Sequence, residues 1–89
     1  MIEQDLEIVN EKGLHARASA KFVEVVERFS SEVEVMKDGM SVPGDSIMGL
    51  LMLAASRGTS IKVRASGTDE AEVMAALAAL VADKFGEGM

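Results

Sequence analysis

One histidine, His15, occurs in 89 residues, and it stands in the run Gly13-Leu14-His15-Ala16-Arg17, where a loop gives way to the first predicted helix. That position gives an imidazole useful company. The first amides of a helix have no carbonyl partner within it, so the N–H groups of Ala16, Arg17 and Ala18 are expected to point outward where the helix dipole is positive. Such a helix start takes anions. Arg17 adds a guanidinium fork that matches phosphate oxygens, and Lys21, one turn on, extends the basic strip in an otherwise acidic chain. In a positive field the neutral form of an imidazole is favoured, which leaves a ring nitrogen free to act as a nucleophile. The chemistry that fits is acceptance of a phosphoryl group. Such transfer rests mostly on positioning and charge stabilisation, so an acceptor needs little further machinery.

The chain has no cysteine and no second histidine. A metal site and a self-contained hydrolase are therefore not expected, nor is a cofactor. Donor and acceptor would be other proteins. The plainer reading of a lone histidine is a surface or capping residue on a non-catalytic interaction domain.

Ser46 is the second candidate. It follows Pro43-Gly44-Asp45 and precedes an apolar run, the position of a helix cap contributing about 1 kcal/mol. The helix behind it is expected over 47–56, ended by Gly58 in a left-handed conformation. Leu50, Leu53 and Ala54 suffice for its core stripe. Ile47, Met48, Leu51 and Met52 then fall on the opposite side, an apolar face offered to a partner, and methionine suits surfaces that repack.

These residues must be held by a small frame. Residues 2–9 alternate, with Ile2, Leu6 and Ile8 to one side, and predict a strand. Ala18, Phe22, Val25, Val26 and Phe29 are spaced for one helix face, with Arg17, Lys21, Glu24 and Arg28 on the wet one. Val33 and Val35 lead to Asp38-Gly39, a two-residue hairpin signal that sets Val35 opposite Val42. Ile61, Val63 and Ala65 alternate with Lys62 and Arg64 as a fourth strand. Ser66 to Glu70 reads as turn and cap before a helix burying Val73, Leu77, Leu80 and Val81, closed by Phe85-Gly86. The order is βαββαβα. One apolar side per strand and amphipathic helices predict an α+β open-faced sandwich, a four-stranded antiparallel sheet with three helices on one face, over 1–89 as one domain.

Fifteen acidic against nine basic residues give a net charge of -6, which repels nucleic acid and anionic lipid. The longest apolar run is too short for a membrane span and no secretory leader opens the chain. A cytoplasmic monomer is expected.

The histidine stretch at 13–17, the Ser46-Ile47-Met48-Gly49 stretch opening the second helix and the βαββαβα order together resemble HPr, the histidine-containing phosphocarrier family of the bacterial phosphoenolpyruvate-dependent phosphotransferase system. The resemblance runs over essentially the whole chain. It implies that His15 takes a phosphoryl group from enzyme I and passes it to an enzyme IIA partner, with Arg17 stabilising the phosphohistidine. It also implies that a kinase, HPr kinase/phosphorylase, modifies Ser46 and weakens exchange with enzyme I. Family members usually carry proline where this chain has Ala18. Alanine restores an N–H there, a further expected donor to phosphate. Ala18 and the Gly-Asp-Ser-Ile-Met-Gly-Leu-Leu run lean towards a regulatory, nitrogen-linked relative rather than one for sugar uptake.

A rival reading is an acyl-carrier-like protein modified on Ser46 in the Asp45-Ser46-Ile47 motif. It requires a helical bundle, against the period-two segments.

Overall fold

Seven elements follow one another in the computed structural model, which describes residues 1–88: β1 Ile2–Glu7, α1 Ala16–Glu27, β2 Glu32–Lys37, β3 Met40–Pro43, α2 Ile47–Met52, β4 Ser60–Ser66 and α3 Glu70–Ala82. A 3-10 turn, Lys84–Gly86, follows α3. The strands form one antiparallel sheet in the order β1-β4-β2-β3. β4 lies between β1 and β2, so the chain's two halves meet in the middle of the sheet.

Alternation decides which side is covered. Ile61, Val63 and Ala65 of β4 are fully buried and pair with Leu6, Gln4 and Ile2 of β1, respectively. Lys62 and Arg64 face the other way, where Arg64 bridges Glu3 at 2.6 Å and Glu34 at 3.4 Å across the open face. The helices press Phe22, Val25, Val26, Leu50, Val73, Leu77 and Val81 onto the apolar side. Four paired strands exclude the helical bundle that an acyl-carrier-like reading needs.

The β2–β3 hairpin turns at Asp38 and Gly39, with φ of 51° and 81°, and sets Val35 opposite Val42. Positive φ at both positions is why Asp-Gly is favoured there. Other boundaries differ from the sequence reading. β1 ends at Glu7, although Ile8 is buried and still donates to the Thr59 carbonyl. α2 stops at Met52, capped by Leu53, and Ala54 turns the chain at φ 51°; Gly58 is left-handed as expected, at φ 89°, but lies beyond the helix it was expected to end. Ala54 is thereby exposed and Ala55 buried in its place. Met74 is buried on α3, whereas Leu80 only packs at the rim.

Asp69 stands at the start of α3 but does not cap it with its side chain. Its carboxylate instead accepts from Ser31 Oγ at 2.5 Å and from the Ser30 amide at 2.8 Å, tying α3 to the loop after α1. Those bonds, the Ser31 hydroxyl foremost, lower its carboxyl below the usual value. A lowered folded-state value adds stability that is complete above the unfolded value, about 3.9, and disappears as pH falls through the folded one. Wild type is therefore expected to lose urea resistance below about pH 4. Asp69→Asn should be weaker at pH 7 and flatter over that acid range.

Candidate functional site

α1 begins at Ala16 because His15 takes an extended conformation, φ -78° and ψ -177°, and supplies only its carbonyl to the first helical bond, from Ser19 N–H at 2.8 Å. The His15 side chain caps nothing. The amides of Ala16, Arg17 and Ala18 are thus left without an intrahelical acceptor. Ala16 and Arg17 are exposed, whereas Ala18 is fully covered. Arg17 makes no hydrogen bond or ion pair among the described residues, so its guanidinium is free for an anion.

Two contacts aim the loop. Leu14 N–H donates to the Ala55 carbonyl at 2.9 Å, and Gly13 holds φ 68° with the same carbonyl 2.5 Å from where a Cβ would stand. Gly13→Ala combines a left-handed alanine with a backbone clash. It is expected to cost at least about 2 kcal/mol, read as a lowered urea midpoint, and to displace His15.

The ring itself is half-open. His15 keeps 28% of its side chain exposed, while its Nε2 is hydrogen-bonded to Oε2 of Glu87, itself 17% exposed. Glu87 Oε1 accepts from Asn10 Nδ2 at 3.0 Å, and the same Nδ2 reaches the Gly13 carbonyl at 2.8 Å. Asn10 is fully buried, and its Oδ1 has no partner among the described residues. Burial pushes the Glu87 carboxyl up, but the hydrogen bonds from Asn10 and His15, with charge at His15 and Lys12, outweigh it and hold the group below the usual range.

Lys21 does not lie free on the wet face. Its Nζ donates to the Phe85 carbonyl at 2.6 Å, and the side chain is partly covered. Phe85 is not part of α3: it is fully buried in the turn beyond, at φ 54°. Glu87 and Asn10 escaped the sequence reading. Seventy-two positions separate Glu87 from His15, and no local pattern links them.

Ser46 accepts the Gly49 N–H at 3.0 Å, the cap expected, and is half-buried. Behind it Ile47, Met48 and Met52 are 41%, 71% and 64% exposed, and Leu51 is half-buried. Leu50 and Leu53 hold the helix down. α2 packs against α1, and Ala55, just past α2, holds Leu14 of the His15 loop through its carbonyl. No helix among the described residues is long and apolar enough to cross a membrane.

Residues 2–83 match the family model "PTS HPr component phosphorylation site". The phosphocarrier protein HPr of Neisseria meningitidis serogroup B is 53% identical over 88 residues, 99% of each chain. HPr-like protein Crh of Bacillus subtilis is 44% identical over 84 residues, 94% of this chain and 99% of its own. A Crh crystal structure is described as a swapped dimer. The crystal structure of HPr-C-His from Thermoanaerobacter tengcongensis is 45% identical, covers 100% of both chains and superposes with a TM-score of 0.95.

Proposed function

Since the chain belongs to the HPr family of phosphotransferase-system phosphocarriers, we propose that His15 accepts a phosphoryl group from enzyme I, charged by phosphoenolpyruvate, and delivers it to an enzyme IIA partner. The observation that carries this reading is the half-open imidazole at the N-cap of α1, followed by the exposed residues Ala16 and Arg17, whose amides have no intrahelical acceptor, the Arg17 guanidinium being unpaired among the described residues. With Nε2 engaged by Glu87, Nδ1 is the nitrogen left to attack. Its lone pair forms the P–N bond as the donor's bond to phosphorus breaks, the electron pair leaving with the donor. The phosphoryl oxygens then meet the helix amides, with Ala18 behind the first two, and Arg17. Onward transfer reverses the step. A P–N bond to a cationic ring is labile, which a carrier needs. No cofactor enters, and the chain catalyses nothing without its partners.

Lys21 and the apolar patch of Ile47, Met48, Leu51 and Met52 form the docking face for enzyme I and enzyme IIA in this reading. The carrier works as a cytoplasmic monomer. Incubation with phosphoenolpyruvate and enzyme I, followed by intact-mass measurement, should add one acid-labile phosphoryl group. No gain with an enzyme I preparation that charges another HPr overturns the reading.

Regulation through Ser46 by a kinase of the HPr kinase/phosphorylase type follows from the same patch. A phosphate there brings nearly two negative charges to the edge of an apolar interface, where they must be desolvated. Ser46→Asp keeps a good cap, so the fold should be unchanged. It is expected to raise KM with enzyme I about tenfold, or about 1.4 kcal/mol. An unchanged KM in a steady-state assay sinks the regulatory role.

A further inference from the structure

Glu87 is held over His15 by a chain of contacts that has no other evident purpose. After α3 the backbone passes through three consecutive left-handed residues, Lys84 at φ 56°, Phe85 at φ 54° and Gly86 at φ 76°. For two of these, side chains oppose that conformation. Full burial of the Phe85 ring and the Lys21 bond to its carbonyl keep the turn in place. The turn folds Glu87 back across the start of α1.

Each carboxylate oxygen then has its own donor, Asn10 for one and His15 for the other. Asn10 also holds the Gly13 carbonyl, so one buried amide fixes both the acid and the loop that carries the histidine. A surface ion pair formed by chance has no such scaffold. An ionised carboxylate can only accept, so a neutral ring facing it must carry its proton on Nε2. A carboxylate that orients an imidazole and offsets the charge appearing on it is a familiar device in nucleophilic catalysis.

We propose that Glu87 is a positioning residue for phosphoryl transfer, holding His15 as the Nε2–H tautomer with the Nδ1 lone pair free and offsetting the positive charge the ring gains when the P–N bond forms. The role rests on the carrier reading above. The balance is simple: Nδ1 supplies the electron pair, the donor keeps the pair from its broken bond, and the Nε2 proton stays between ring and carboxylate. On onward transfer the pair in the P–N bond returns to Nδ1.

The test uses the full chain with Glu87→Ala and Glu87→Gln. Nitrogen-15 NMR of the unphosphorylated protein reads the tautomer directly, and circular dichroism confirms folding. Wild type should show Nε2–H in excess by about tenfold, a difference near 1.4 kcal/mol. Glu87→Ala should shift the ring towards a mixture and lower kcat/KM with enzyme I about tenfold. Glu87→Gln, whose carbonyl oxygen can still accept from Nε2–H, should keep the tautomer and fall between the two in rate. A wild-type ring protonated on Nδ1 overturns the proposal. So does an unchanged or increased kcat/KM in Glu87→Ala, the increase marking Glu87 as an obstruction. The ring spectrum needs no partner protein, so failure of wild type to accept phosphate sinks the carrier reading and leaves the tautomer result separate.

Discussion

Alanine at position 15 should leave the protein folded and remove every acid-labile phosphoryl group that phosphoenolpyruvate and enzyme I can add. The expected loss is complete because the chain has no second histidine and no cysteine to take over as nucleophile. Stability should barely move. The His15 side chain caps nothing, and its one hydrogen bond among the described residues, to Glu87, is partly open to water, so its removal should cost about 1 kcal/mol or less. Intact mass and thermal unfolding on the same preparation separate the outcomes. Loss of phosphate with an unchanged melting point places the chemistry on the ring. Retained acid-labile phosphate moves it to another side chain and returns His15 to the status of an ordinary surface group.

Truncating Phe22 tests the frame rather than the chemistry. Phe22 lies on α1, fully buried within the main hydrophobic cluster, two turns beyond the histidine. Phe22→Ala should destabilise by about 3–5 kcal/mol, since the lost transfer energy is joined by a cavity the surroundings only partly fill. A chain of 89 residues has a total stability of order 5–10 kcal/mol, so about half would be gone. The melting temperature should fall by of order 20 °C. Phosphoryl acceptance well below that new transition should persist, because Leu14, Gly13 and Ala55 position the ring independently of the deleted atoms. A drop under about 1 kcal/mol in chemical denaturation would mean that α1 is not anchored through this ring.

Much of the local plan could be read along the chain because its causes are local. Asp38-Gly39 turns the hairpin since both positions need positive φ, and Ser46 caps α2 through an amide three residues away. The strand faces follow from alternation alone. The end of α2 did not follow, and the reason lies elsewhere in the fold. Ala55 must turn inward to give its carbonyl to Leu14, so the helix is abandoned at Leu53 and Ala54 accepts a left-handed conformation that glycine would have taken more easily. Asp69 likewise forgoes its own helix for Ser30 and Ser31. Lys21, expected on the wet face, gives its ammonium to the carbonyl of Phe85 in the turn beyond α3.

For this protein, then, residue order by itself determined the histidine at a helix start, the capping serine, the apolar face behind it and the family. Those features depend on neighbours within a turn or two, where backbone geometry dictates what can meet. Only tertiary structure decided which ring nitrogen is engaged and by what. The acid responsible is 72 positions away, and it reaches the ring only because a buried phenylalanine, a lysine and an asparagine fold the end of the chain back over its beginning.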